Sequence, residues 1–303
     1  MTRTLVGSPV EAQTVQPLRE PAEFAIDQWT TEHGLPQNSV NAILQMPDGY
    51  LLVGTFGGLA RFDGTRFTTL ERVDSAGRHV DRVLSLALGA DGSLWIGTEA
   101  GLLRRRGSDY ELYTPADGLP GEEIRALHVD SRGTLWISAG ADGFARYEGG
   151  AFRSVREVDG RRISYVSDFS EDARGSLWAI MTEGALLIPD GDLDRAQWLD
   201  GSRPAKLVLH DRAGGYWYDF DRATVRVSGD DVRMFRVPGG ALMVEDAEAG
   251  YWVGTVNDGL FHFSIDGDTA ITRRYALPDG RPGFLVRSAW VDADGNAWFG
   301  TNA

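Results

Sequence analysis

Apolar and polar residues alternate along this chain with period two, in runs of four to six residues cut off by Gly, Asp and Pro. This is the pattern of short, half-buried strands. The runs come in groups of four. In the first group they cover 40–45, 50–54, 59–62 and 67–70, with Pro47, Asp48 and Gly49 between the first pair and Asp63 and Gly64 between the last. Such residues tolerate the positive φ of tight turns, so each group predicts an antiparallel four-stranded unit. The second group covers 83–88, 94–97, 102–105 and 110–113, and the third 124–129, 135–138, 144–147 and 152–155.

One motif organises the groups: Asp91, Gly92, Ser93, Leu94, Trp95, Ile96, Gly97, Thr98. Its aromatic returns at Trp136, Trp178, Trp217, Trp252 and Trp298, and Leu52 takes that place in the earliest copy. From Leu52 onward the intervals are 43, 41, 42, 39, 35 and 46 residues, a period that belongs to propeller blades rather than to helical solenoids. Seven motifs predict an all-β, seven-bladed propeller of four-stranded antiparallel blades. The fourth and fifth copies are looser, with Ile180 and Met181, then Asp219 and Phe220, in place of Gly-Thr. The seventh shows only an inner strand over 286–291 and a second over 297–300 before Ala303, so the last blade is expected to be incomplete at the C-terminus. Phe24 to Trp29, followed by His33, Gly34, Leu35 and Pro36, parallels Tyr110 to Tyr113 with Asp117, Gly118, Leu119 and Pro120. The parallel predicts an outer strand donated to the seventh blade by the N-terminal segment. The chain divides into a polar, flexible leader over 1–21 and propeller repeats over 22–303.

Composition narrows the function. A net charge of −14, with Lys206 the single lysine, argues against nucleic acid, which calls for a basic face. The absence of cysteine removes disulfides, thiolate metal ligands and thiol nucleophiles. No apolar run is long enough to span a bilayer, and the first twenty residues lack the apolar core of an export signal. No phosphate-binding or dinucleotide fingerprint accompanies Gly54, Gly97, Gly254 and Gly300, which predict close approach of backbones instead. Aspartate-rich turns such as 292–295 lack the ligand series of a calcium loop, and the five histidines share no metal-ligand spacing. No metal or cofactor is expected.

Variation among the repeats marks the candidate site. The loop entering each inner strand and the loop between second and third strands emerge on one face, around the central channel, and there the copies differ most. Asn38, Asn41 and Phe56 lie there in blade one, Arg82 and Glu99 in blade two, Arg125 and Asp142 in blade three. Blade four adds Tyr165, Asp168 and Glu183, blade five Lys206, Asp219 and Asp221, blade six Asn257 and Asp258, and blade seven Arg287. Aromatic, amide and charged groups converging on one mouth suit a small polar molecule or a sugar.

The run from Trp29 to Ile43, leading into Pro47 to Gly64 with Leu51, Leu52, Val53, Gly54, Thr55, Phe56, Gly57, Gly58 and Leu59, closely resembles the repeat of two-component regulator propellers. These are ligand-binding sensor domains of hybrid histidine kinases and some diguanylate cyclases. The resemblance covers Phe24 to Ala303 and implies a noncatalytic, periplasmic sensor domain of a bacterial receptor. It implies a small polar ligand or an oligosaccharide, and a homodimer through the full-length receptor. It implies no membrane contact by this segment and an effector outside it. Two alternatives stand beside this reading: a protein interaction platform, and a propeller lyase or hydrolase similar to streptogramin lyases, which needs histidine and glutamate together on the channel face.

Overall fold

The computed structural model describes residues 24–70, 81–163, 165–181, 184–199, 208–220, 223–237, 240, 242–248, 250–276 and 284–302. The expected leader over 1–21 and the predicted residues Glu183, Lys206 and Asp221 lie outside them. Six four-stranded antiparallel sheets, each in plain sequence order, occupy 40–69, 83–113, 126–155, 166–199, 208–235 and 242–275. A further sheet pairs Val286–Val291 with Ala297–Thr301. The sheets form a ring in which inner strands lie side by side, and Val286–Val291 returns to Val40–Gln45. Among the described residues helix is confined to short 3-10 turns.

Among the described residues full blades therefore number six, where the seven motifs predicted a ring of seven with the last blade incomplete. The seventh motif makes a hairpin only, because among the described residues no third strand pairs with Ala297–Thr301. For the same reason 24–29 is not the predicted outer strand: it has no ladder partner. Its aromatic ends hold it instead. The Phe24 ring centroid lies 5.3 Å from that of Trp252 on blade six, and Trp29 lies 5.2 Å from both Phe62 on blade one and Trp298. The ring closes through Ser288 Oγ donating to the Val40 carbonyl at 3.3 Å, the Ala293 amide donating to Gln45 Oε1 at 2.8 Å, and a Ser39–Asn302 bridge.

The repeated residues have mechanical roles. Trp95, Trp136, Trp217 and Trp252 are buried. Large aromatics there contribute a few kcal/mol each, at about 25 cal/mol per Å² removed from water. In three repeats the indole is satisfied by the turn that precedes it: Trp136 and Trp217, both buried, and the half-buried Trp298 donate Nε1–H to Asp130, Asp211 and Asp292 at 2.9, 3.0 and 2.7 Å. The Asp130 carboxylate also accepts the amides of Arg132 and Thr134 at 3.0 and 2.9 Å, fixing the turn. At the other end of the second strand, Thr55, Thr98 and Thr255 donate their hydroxyls to the carbonyls of Gly58, Gly101 and Gly259 at 2.9, 2.9 and 2.8 Å. The Gly-Thr pair is thus a loop clasp.

The glycines set the spacing between blades. A Cβ on Gly97 would stand 2.6 Å from the Ile124 carbonyl oxygen of blade three, and one on Gly300 would stand 2.6 Å from that of Val40. Both distances are impossible, so side-chain-free residues let consecutive blades meet backbone to side chain. A two-residue sheet, Glu157–Val158 with Arg161–Arg162, appears between blades three and four. Its turn, Asp159 and Gly160 with φ 52° and 74°, is an Asp-Gly hairpin signal that the strand count passed over.

Replacing Gly97 with alanine is expected to lower stability by about 1–3 kcal/mol, since the clash is with backbone and forces the seam apart. Chemical denaturation of the two proteins measures it, and an unchanged midpoint would show that the seam tolerates extra volume.

Candidate functional site

Four of the inner strands begin with a β-bulge at the channel mouth. Register slips between Val40 and Ala42, Val83 and Ser85, Val166 and Asp168, and Val286 and Ser288, leaving Asn41, Leu84, Ser167 and Arg287 as the extra residues. A bulge re-aims its side chain. Since bulges break the period-two alternation, the pattern along the chain does not reveal them.

Six of the predicted residues fall into one arc that ends at Tyr165. The Arg287 guanidinium lies 5.6 Å from the Phe56 ring centroid, and that of Arg82 lies 4.5 Å from it. Arg82 Nε donates to Glu99 Oε2 across the loop. This bond favours both charged forms, raising the Arg82 pKa and lowering that of Glu99. The Arg125 guanidinium also draws Glu99 down, pairs with Glu123, and lies 5.5 Å from the Tyr165 ring centroid. Burial pushes the Tyr165 hydroxyl above its ordinary range. The arc runs Arg287, Phe56, Arg82, Glu99, Arg125, Tyr165, and it crosses from the seventh sheet to blade four. Arg82 itself sits at φ 59°, an uncommon left-handed conformation, with its amide donating to the Phe56 carbonyl at 3.1 Å.

Beside the arginines lies a cleft of about 540 Å³ lined by Glu99, Glu122, Glu123, Asp142, Pro115 and Gly121. Glu122 and Glu123 were not among the predicted residues. The pair stands at the entry to an inner strand, so position in the repeat was the signal that could have found it. The mouth is cationic on one side and anionic on the other.

The other predicted residues do not join the arc. Asn38 Oδ1 accepts the Thr31 amide at 2.8 Å, and Asn41 Nδ2 donates to the Val83 carbonyl at 2.9 Å, a bond between blades. Asn257 is exposed on the blade six loop. Asp219 pairs with Thr224 on the backbone of blade five, and its side chain is outside the described set. Among the described residues no group of His, Asp and Glu is placed to hold a metal ion, and no helix is long and apolar enough to cross a membrane.

The described histidines have partners other than Glu99 and Glu123. His128 and His210 stand near the turn ends of inner strands, and burial lowers both pKa values, which keeps the rings neutral. His262 Nε2 meets Asp246 Oδ2 at 2.7 Å at the same end of blade six. His33 takes the Thr30 amide on Nδ1 at 3.1 Å within its own turn.

Asp168 occupies the position that Ser85 and Ser288 hold in blades two and seven. Those serines donate to the carbonyls of Ile124 and Val40 in the next blade, at 3.1 and 3.3 Å. An ionised carboxylate cannot donate. Asp168 is solvent-exposed as a residue, yet protein surrounds its carboxyl, and this desolvation pushes its pKa up to about 6. A folded pKa above the unfolded 3.8 means that the contribution is full below pH 4 and is lost as pH rises through about 6. Asp168→Ser is therefore expected to stabilise the protein by about 1 kcal/mol at pH 7.5, after discounting for water, and by nothing at pH 4. Thermal melts of both proteins at the two pH values check it; an equal effect at both would exclude ionisation as the cause.

Residues 118–140 match the family model described as two component regulator propeller. A search of curated proteins finds no sequence match. Among solved structures, the extracellular domain of the hybrid two component system BT3049 from B. thetaiotaomicron superposes with a TM-score of 0.75 at 18% identity, covering 91% of this chain and 40% of that one. Virginiamycin B lyase from Staphylococcus aureus, in its inactive H270A form with quinupristin, gives 0.67 at 12% identity, covering 87% and 92%. PorZ, a surface component of the type-IX secretion system of Porphyromonas gingivalis, gives 0.68 at 17%, covering 88% and 46%. At these identities the likeness is one of fold, and the chain spans about 40% of the length of the two component domain. This chain carries the two component regulator propeller repeat and has the fold of the extracellular domains of two component systems.

Proposed function

We propose that this chain is a noncatalytic, ligand-sensing propeller of a bacterial signal-transduction receptor, working outside the cytoplasmic membrane. The observation that carries the reading is the arc of guanidinium groups and aromatic rings across the mouth. Arg82 and Arg287 share the Phe56 ring, which orients both without using up their hydrogen bonds. Among the described residues Arg287 has no carboxylate partner, so it offers a free cation. Arg82 and Arg125 are held by Glu99 and Glu123 in exposed pairs, which are weak and exchangeable.

This arrangement suits a polar small molecule or an oligosaccharide. Hydroxyl groups would donate to the carboxylates of the cleft, and an acidic substituent would replace Glu99 or Glu123 on an arginine. Because the arc touches the seventh sheet and blades one to four, a ligand across it would favour one relative setting of those blades. Signalling requires only that differential affinity. The lyase reading draws support from the fold it shares with virginiamycin B lyase. It lacks its chemistry among the described residues, since no histidine there is bonded to the mouth glutamates.

Thermal shift against neutral and acidic oligosaccharides tests the proposal by mass action. A saturable rise in Tm is expected with at least one compound. Arg82→Ala and Arg287→Ala are each expected to weaken that response about tenfold, with little change in the melt of the free protein, because both side chains are exposed. A folded protein that responds to no compound would turn the assignment to an interaction platform.

A further inference from the structure

Three histidines lie toward the end of the channel opposite the mouth, and they differ in what faces their Nε2 atoms. On blade six, His262 Nε2 lies 2.7 Å from Asp246 Oδ2, so a second proton on that ring finds a carboxylate at once. On blade three, His128 Nε2 has Glu171 Oε2 of blade four at 4.0 Å, within reach of a protonated ring after a small movement. On blade five, His210 Nε2 is buried and bonds to nothing among the described residues.

His210 closes the joint between blades four and five. Its Nδ1 meets Ser170 Oγ of blade four at 2.7 Å, and its ring centroid lies 5.0 Å from that of Trp178 on blade four and 6.0 Å from that of Tyr216 on its own blade. With the neutral ring's proton on Nδ1, donated to the serine, Nε2 is a bare acceptor. A second proton has to go on Nε2. It puts a charge and an N–H together into a buried place where no described group accepts them. The joint is also short, since the inner strand of blade five covers three described residues, Val208–His210, against four to six in the other repeats.

Two carboxylates stand near the ring, Asp172 from the turn of blade four and Asp211 from that of blade five, and both serve other groups. Asp172 Oδ1 accepts the amides of Arg174 and Ser176, each at 2.9 Å. Asp211 accepts the Gly215 amide at 2.8 Å, the Trp217 indole at 3.0 Å and Arg226 at 2.6 Å. Tyr216 is a further titratable neighbour, and burial raises its pKa, so it stays neutral. For His210 burial outweighs the pull of the two carboxylates and holds the pKa below the ordinary 6.5.

We propose that the joint between blades four and five is a proton-operated hinge, shut while His210 is neutral and opened when the ring takes a second proton that the shut joint cannot bond. The shut form is fully favoured above pH 6.5 and loses ground as pH falls below it, because only the open form lets the ring titrate at its ordinary value. One proton shifts the balance by at most about tenfold per pH unit. The hinge lies one blade past Tyr165, where the mouth arc ends. It works without a ligand at the mouth, so the two assignments fail separately.

Amide hydrogen exchange of the 303-residue chain at pH 6.5 and 5.5, corrected for the intrinsic rate, tests the hinge. Asp168→Ser is the background, because Asp168 on the same inner strand as Ser170 titrates in the opposite sense. Exchange in 166–171 and 208–210 is expected to rise by up to about tenfold at the lower pH, while that of 83–88 in blade two stays level. His210→Gln, which can still bond Ser170 but takes no proton, is expected to abolish the rise, and Arg82→Ala to leave it intact. Equal protection at both pH values, or a rise that persists in His210→Gln, overturns the proposal. Should His210→Gln not fold, the background protein decides alone: a rise at 166–171 and 208–210 without one at 83–88 supports the hinge, and a rise that is absent or shared rejects it.

Discussion

Everything in this molecule depends on how closely one blade can approach the next. Each second strand ends against the inner strand of its neighbour, and a glycine at Gly54, Gly97, Gly254 or Gly300 removes the side chain that would hold them apart. Where the glycine is replaced, the seam adapts. Ser138 takes the place in blade three and donates to the Val166 carbonyl at 2.5 Å, turning a steric contact into a hydrogen bond. Ile180 takes it in blade four. In the same blade Asp168 stands where Ser85 and Ser288 stand in other repeats, and its carboxyl is desolvated.

Much of this was legible in the chain. The period of the motif named the architecture, and the strands of blades one and two fall within a residue or so of the alternating runs, because alternation records which face is buried. The aspartate six residues before the tryptophan was written in the sequence too, yet its bond to the indole became visible only with the turn folded. Blade number was less legible: counting motifs counts inner hairpins, and a hairpin is not a blade. The segment 24–29 has the pattern of a strand but no edge to pair with, so its phenylalanine and tryptophan decide its course instead.

The candidate site was read from loop position, and that argument found Phe56, Arg82, Glu99, Arg125, Tyr165 and Arg287 without showing that they touch. Contact depends on bulges and on rings shared between cations, neither of which leaves a periodic trace. Loop position also promoted Asn38 and Asn41, whose amides turned out to hold backbone groups. Short polar side chains serve both purposes equally well, so sequence alone does not separate them.

Closure of the ring joins residues very far apart in the chain. Ser288 and Ala293 bond to Val40 and Gln45 across 248 positions, while every other seam joins neighbouring repeats. During synthesis the exposed flank of blade one must therefore wait for residues 286–302 before it is covered. Successive blades can stack as they emerge, since each needs only the one before it. The final seam is the slow, entropically costly step, and until it forms the open ring presents two unpartnered apolar faces. The strap from Phe24 to Trp29, touching blade six, blade one and the seventh sheet, straddles that last joint.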